Sequence, residues 1–413
     1  MIKQIIDSIF AGNLRGFKPS PRGWVESRDP SKIRMLYVHI PFCEELCPFC
    51  SFHRVKASDG EIKRYFNALR SEIKFYSERG FRFTEVYFGG GTPTIDAREL
   101  CLTIELIRSL FPAREVSLET NPNGLDGATL ALLADSGVDR LSVGVQSFDD
   151  SLLKKMDRYK KYGSGAEIRE RLAFASGRFR TLNVDMMFNL PGQTRQSLER
   201  DIDILLALAP DQITFYPLMA EPSVRDKLSG SFGGIKNENL RQYYNMILSG
   251  MSGNYTAGTA WCFSRKDAMI DEYIVKNESY VGIGSGAFSY VEGAMYASTF
   301  SIEEYIRRIE RSAGGITHFR EMTLKQRIGY DFMVKLFSTE LGLSELWKKY
   351  GFSSLLLLPE FAALCLMGAF RFHGRFIRLS RRGMYLWVLV MSGFFNAINS
   401  LRAQMRRDSG IIS

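Results

Sequence analysis

From Met35 to Leu218 six short apolar runs alternate with longer segments whose apolar residues recur every three or four positions. That rhythm is the signature of βα units wound around a parallel sheet, so the fold class expected is α/β. The predicted strands are MLYVHI at 35–40, EVYFGG at 85–90, EVSLET at 115–120, RLSVGVQ at 140–146, NVDMMF at 183–188 and QITFYPL at 212–218. Between them the helical period is clearest over 61–78 and 196–209. Six units fall short of the closed eight, so a partial, open (β/α)6 barrel is expected.

At 413 residues the chain can bury one large core and a smaller domain. The stretch SGSFGGIKNEN at 229–239 reads as a loop, and beyond it the βα rhythm is lost. From about Glu321 a helical TLKQRIGYDFMVKLF precedes FRFHGRFIRLSRRGMYLWVL, which reads as a hairpin leading into a helix. The organisation expected is an N-terminal extension over 1–32, the barrel over 33–228, a connecting region over 229–320 that completes the cofactor site, and a C-terminal α+β domain over 321–413.

Six cysteines are too few for a disulfide framework, and three of them, Cys43, Cys47 and Cys50, stand in HIPFCEELCPFCSFH with the spacing C-x3-C-x2-C. Three thiolates directly after the first strand can hold three irons of a cubane and leave the fourth iron open to a ligand. The alternative is zinc on three cysteines with His39 or His53 as the fourth ligand. Zinc accounts for the thiols but not for the GGGTPT turn after the second strand, nor for the polar residues at later strand ends. Cys101, Cys262 and Cys365 are scattered, as packed core cysteines are.

In (β/α) barrels the carboxyl ends of the strands line the active site. Here those ends carry Gly89, Gly90, Gly91 and Thr92, then Glu119, Gln146 and Asp185. Bare glycine backbone lets a ligand's polar groups approach closely.

The net charge of +9 and pI near 9.1 suit an anionic partner, and much of the excess lies around Arg371, Arg375, Arg378, Arg381 and Arg382, a cluster that also reads as a solvated face. The nearly uncharged MYLWVLVMSGFFNAI at 384–398 is shorter than a membrane span, which favours a buried helix over interfacial contact. The first ten residues are broken by charge and Gly, unlike a signal peptide, so a cytoplasmic protein is expected, with peripheral contact at a membrane surface as a second expectation.

Together YVHIPFCEELCPFCSF, VYFGGGTPT, LSVGVQSF and NVDMMFNLPGQT resemble the radical S-adenosylmethionine (radical SAM) superfamily and, within it, the family of anaerobic coproporphyrinogen III dehydrogenase. The resemblance covers roughly 33–310 and weakens in the C-terminal domain. It implies a radical SAM barrel, a [4Fe–4S] cluster on Cys43, Cys47 and Cys50, and S-adenosylmethionine, in two molecules, contacted by Gly90, Glu119, Gln146, Arg158 and Asp185. Arg158 enters because it stands twelve residues after Gln146, where arginine can pair with the cofactor's carboxylate. Tyr37 matches a tyrosine near the cluster, and Gly284 in GIGSGAFS matches a turn near the second cofactor site.

Three departures matter. Phe52 stands where the porphyrinogen decarboxylases carry a further cysteine, Met269 and Ile270 stand where the heme-binding members show a His-Asn pair, and Asn189 replaces the usual Gly before Leu190 and Pro191. On these grounds the expected reaction is methyl or methylene transfer to a hydrophobic, unsaturated or aromatic substrate, with Cys262 as a candidate for hydrogen transfer. Coproporphyrinogen III decarboxylation and heme carriage are the alternatives, and they make a tetrapyrrole the other substrate class. The implied electron donor is a flavodoxin or ferredoxin; nucleic acid is not an expected partner.

Overall fold

The computed structural model describes residues 16–56, 58–219, 238–265, 269 and 273–408. The six predicted strands are present as β1 (Met35–Ile40), β2 (Glu85–Gly90), β3 (Glu115–Thr120), β4 (Arg140–Gln146), β5 (Thr181–Phe188) and β6 (Gln212–Pro217), parallel and adjacent in chain order. Their side chains are buried on both faces, which is why they read as apolar runs and not as alternation. The crossovers are α1 (Asp59–Glu78), α2 (Ala97–Leu110), α3 (Gly127–Asp135), α4 (Gly165–Ala175) and α5 (Arg195–Leu208). Their starts are fixed by side chains that accept from the free N–H groups of the first turn: Asp96 for α2, Asp126 for α3, and Ser164 and Thr194 in capping boxes for α4 and α5.

The region where the rhythm fails does more than connect. After α6 (Leu240–Met251), β7 (Cys262–Ser264) pairs antiparallel with β6. On the opposite edge β8 (Tyr280–Ile283) adds parallel to β1, and β9 (Phe288–Val291), β10 (Ala294–Ser298) and β11 (Ile316–Glu321) continue antiparallel. The barrel strands and the predicted connecting region therefore share one open sheet of 13 strands among the described residues. The sequence hid this because strands of three to six residues, joined by short turns or by short helices such as Ile302–Glu310, leave no long periodic run. Within 229–239, residues 229–237 lie outside the described residues, as does Ile270.

The C-terminal α+β domain is as expected, with α7 (Leu324–Phe337), α8 (Leu343–Tyr350), α9 (Leu358–Leu366), the hairpin β12 (Phe370–His373) and β13 (Phe376–Leu379), and the long α10 (Arg381–Asp408). Two helical stretches, Leu343–Leu366 and Arg381–Arg407, are long and apolar enough to cross a membrane, but 56% of the apolar window of the second is buried. Trp387 on α10 is fully buried and its Nε1 donates to Met333 O at 2.9 Å, which ties α10 to α7 as a core helix. In the predicted basic cluster Arg371, Arg375 and Arg382 are exposed, Arg378 pairs with Glu340, and Arg381 reaches Ser249 Oγ at 2.6 Å.

Candidate active site

One cavity of about 320 Å³ opens at the carboxyl ends of β1–β6, and the C-terminal half of α10 forms part of its wall. All three cysteines of the motif line it. They are free thiols, and burial pushes the Cys43 thiol up to about 11, against a bond from Thr92 Oγ1 at 3.7 Å. The loop that carries them is held from inside, because Arg54 Nη2 donates to the carbonyls of Cys47 and Cys50. Arg158 Nη1 lies 3.6 Å and Lys161 Nζ 3.9 Å from Cys47 Sγ, so cations stand beside a thiol that must be a thiolate to bind metal.

The donor set fits a cluster better than zinc. Among the described residues no three His, Cys, Asp or Glu side chains gather tightly enough to hold a single ion. A cubane needs no such convergence, since each thiolate binds a different iron. The histidines named for zinc are committed elsewhere. His39 Nε2 donates to His53 O at 2.9 Å, so its Nδ1 accepts from Tyr37 OH at 2.9 Å, and burial holds the ring down to about 4 and therefore neutral. Ser285 Oγ donates to Thr299 O and lies 3.1 Å from His53 Nε2, so the His53 ring is turned into the protein too.

The residues expected to contact the cofactor come from successive strand ends. Gly90 has φ +119, and an added Cβ would meet the His39 ring at 2.6 Å, so only glycine fits. Its N–H donates to Glu119 Oε2 at 3.1 Å, while Tyr87 OH donates to Oε1 at 2.9 Å. Gln146 sits at a break in the β4–β5 register with φ 78, strain of the kind that aims a side chain at a site. Asp185 accepts from Ser142 Oγ at 2.7 Å and Asn183 Nδ2 at 2.8 Å. Gly90, Gly91, Thr92, Glu119, Gln146, Arg158 and Asp185 all line the cavity, as does Tyr37.

Three predicted residues are placed otherwise. Gly89 packs against the Glu119 carboxylate, which an added Cβ would meet at 2.9 Å, and stands behind the cavity wall. Gly284 is buried behind the same wall, its N–H donating to Glu72 Oε2 at 3.0 Å; Gly286 and Phe288 are the members of that turn that face the cavity. Cys262 is 1% exposed on β7 and is not among the residues that line the cavity.

The departures gain physical reasons. Asn189 has φ 62, and Asn is the residue that, after Gly, adopts the left-handed conformation most readily, so the turn survives the replacement. Phe52 is 43% exposed and lines the cavity instead of filling core. Met269 is buried away from the cavity, its carbonyl accepting from Gln212 Nε2 at 2.6 Å. Missed from the sequence were Arg54, for which its position four residues after Cys50 was the available signal, and the cavity-facing Asn399 and Arg402 of α10, for which there was none.

A cysteine triad at the mouth of a parallel βα sheet, facing a glycine turn and carboxylates on the next strand ends, defines a radical SAM protein. Residues 37–205 match the Radical SAM superfamily. The chain is 30% identical to the heme chaperone HemW of Bacillus subtilis (strain 168), over 79% of this chain and 90% of that one. It is 31% identical to the oxygen-independent coproporphyrinogen III oxidase of Paracoccus denitrificans, over 50% of this chain and 48% of that one. The coproporphyrinogen III oxidase HemN from Escherichia coli shares the fold, with a TM-score of 0.72, 21% identity and coverage of 90% of this chain and 91% of that one. The chain belongs to the coproporphyrinogen III dehydrogenase-like family of radical SAM proteins. Its cofactors are accordingly a [4Fe–4S] cluster and S-adenosylmethionine.

Proposed function

We propose that this radical SAM enzyme acts on a carboxylated tetrapyrrole, in preference to the carbon alkylation expected from its sequence. The observation that carries this reading is the continuity of the cavity, which runs from the cluster cysteines to a wall of Phe288, Met295, Tyr330, Phe394 and Ile398, with a single arginine, Arg402, on that side. A flat, largely apolar molecule with carboxylates matches such a lining. The names of the relatives, oxygen-independent coproporphyrinogen III oxidase and heme chaperone, both concern tetrapyrroles and support the same class.

Bound together, the cluster and S-adenosylmethionine supply an electron and a carbon-centred radical that takes hydrogen from carbon. The chain supplies the rest. Cys43, Cys47 and Cys50 would hold the cluster, and Gly90, Glu119, Gln146, Arg158 and Asp185 would orient the cofactor. The apolar wall keeps water from the reacting carbon.

Heme carriage is the competing reading, favoured by the long match to the Bacillus subtilis heme chaperone. Among the described residues no histidine lines the cavity, although Met187, Met219 and Met295 do. The test is anaerobic turnover of coproporphyrinogen III with S-adenosylmethionine deuterated at its methyl group. Loss of carbon dioxide without label in the product supports the proposal; transfer of label returns alkylation, and a Soret-absorbing heme complex with no turnover returns heme carriage.

A further inference from the structure

Helix α10 carries a guanidinium to the cavity with no carboxylate paired to it among the described residues. Arg402 is half-buried, lines the cavity and lies over the rings of Phe52 and Phe288, at 5.1 and 5.6 Å from their centroids. Its Nη1 donates to Asn399 Oδ1 at 2.8 Å, one turn earlier on the helix. Its Nε is sealed from solvent and has no acceptor. Tyr37, Tyr273, Tyr280 and the motif cysteine Cys50 stand near it. Withdrawing a guanidinium from water without a counter-ion destabilises a fold, so an arginine kept this way is matched by an anion that arrives with a ligand.

We propose that Arg402, oriented by Asn399, is the substrate-carboxylate site of this enzyme. The inference rests on the tetrapyrrole reading for the name of the group, a propionate, but not for its chemistry. Asn399 takes one of the five N–H donors of the planar guanidinium through Nη1, and the others on the two terminal nitrogens are the ones open to a carboxylate in the cavity. The two phenylalanine rings exclude water from the pair, which strengthens each bond. S-adenosylmethionine also carries a carboxylate, and Arg158 beside Cys47 is the arginine placed for that one.

The test uses the full chain with its cluster reconstituted under anaerobic conditions, as wild type, Arg402→Met and Arg402→Lys, each checked for equal iron content. Binding of coproporphyrin III and of its tetramethyl ester is followed by fluorescence quenching, and S-adenosylmethionine stoichiometry by equilibrium dialysis. The wild type is expected to prefer the free acid by about ten- to hundred-fold, the size of a charge-assisted pair, with the preference abolished in Arg402→Met and partly kept in Arg402→Lys. An unchanged preference in Arg402→Met overturns the proposal, and so does a loss of bound S-adenosylmethionine in that variant, which would give the arginine to the cofactor. If the wild type binds neither porphyrin, the tetrapyrrole reading fails, and cyclohexanepropionate then decides the site alone. Thermal stabilisation of the wild type but not of Arg402→Met sustains a carboxylate site; equal shifts, or none, overturn it.

Discussion

Arg158 Nη1 lies 3.6 Å from Cys47 Sγ across a sequence separation of 111 residues, so the arginine expected at the cofactor also touches a cluster ligand. Sequence reasoning separated those roles, with Arg158 contacting S-adenosylmethionine and not the metal site. Replacing Arg158 by Leu is therefore expected to do two things. Cofactor affinity falls about ten- to hundred-fold through loss of a charge-assisted bond. The cluster's reduction potential also moves to more negative values, because a cation beside a thiolate favours the reduced, more negatively charged cluster. Spectroelectrochemistry and equilibrium dialysis on the same sample measure both, and an unmoved potential contradicts the placement.

Asp185 gives the contrasting case. Its two oxygens accept from Ser142 and Asn183, and it lines the cavity. Asp185→Ala is expected to weaken S-adenosylmethionine binding about ten-fold, a loss in the range of one hydrogen bond to a charged group. Iron content, cluster absorbance and potential stay at wild-type values. A changed cluster spectrum would count against this division of labour.

Gly90→Ala tests the backbone beneath the site. With φ +119 and the His39 ring 2.6 Å from the new Cβ, the substitution combines strain and clash, at a cost of about 1–3 kcal/mol or more. Gly60, near the start of α1, has no atom within 4 Å of an added Cβ, so Gly60→Ala serves as the control, neutral or stabilising by under about 1 kcal/mol. Anaerobic thermal melts should separate the two variants by several degrees.

Burial pushes the Asp201 carboxyl up to about 7, against bonds from Ser147 Oγ and Phe148 N, both 2.8 Å long. The folded chain thus holds this proton to higher pH than the unfolded chain, whose carboxyl titrates near 3.8. Between those values the folded state binds more protons, so this group's contribution to stability falls as pH rises from about 4 to about 7 and is level above. Asp201→Asn, which cannot ionise, should flatten that slope in denaturant titrations; a slope equal to the wild type's would remove Asp201 as its source.

The parallel strands were legible in the sequence because both faces are buried, so that β1 to β6 stand out as uninterrupted apolar runs. The cluster motif was legible because its ligands are local, falling within one loop. Residues brought by strand order, Glu119, Gln146 and Asp185, could be named because parallel βα units place every carboxyl end on one side. Legibility ended where tertiary folding, not periodicity, decides the outcome. Nothing in the helical period of 381–408 says that its last turns reach a cavity whose cysteines stand more than 300 positions earlier, so the sequence singles out no role for Arg402. Gly284 and Cys262 lie off the cavity lining, and a matched turn or a thiol in the sequence carries no information on which way it faces.

The proposed function makes a tetrapyrrole the molecule from which this enzyme takes hydrogen. The direct measurement is 5′-deoxyadenosine formed by the reduced, cluster-loaded protein with S-adenosylmethionine, in the presence and absence of coproporphyrinogen III, with the mass of the porphyrinogen followed in parallel. The predicted result is 5′-deoxyadenosine that rises in proportion to porphyrinogen converted, in the wild type and not in Cys47→Ala. Formation of 5′-deoxyadenosine at the same rate with and without the porphyrinogen, and a porphyrinogen recovered with its mass unchanged, would contradict the claim.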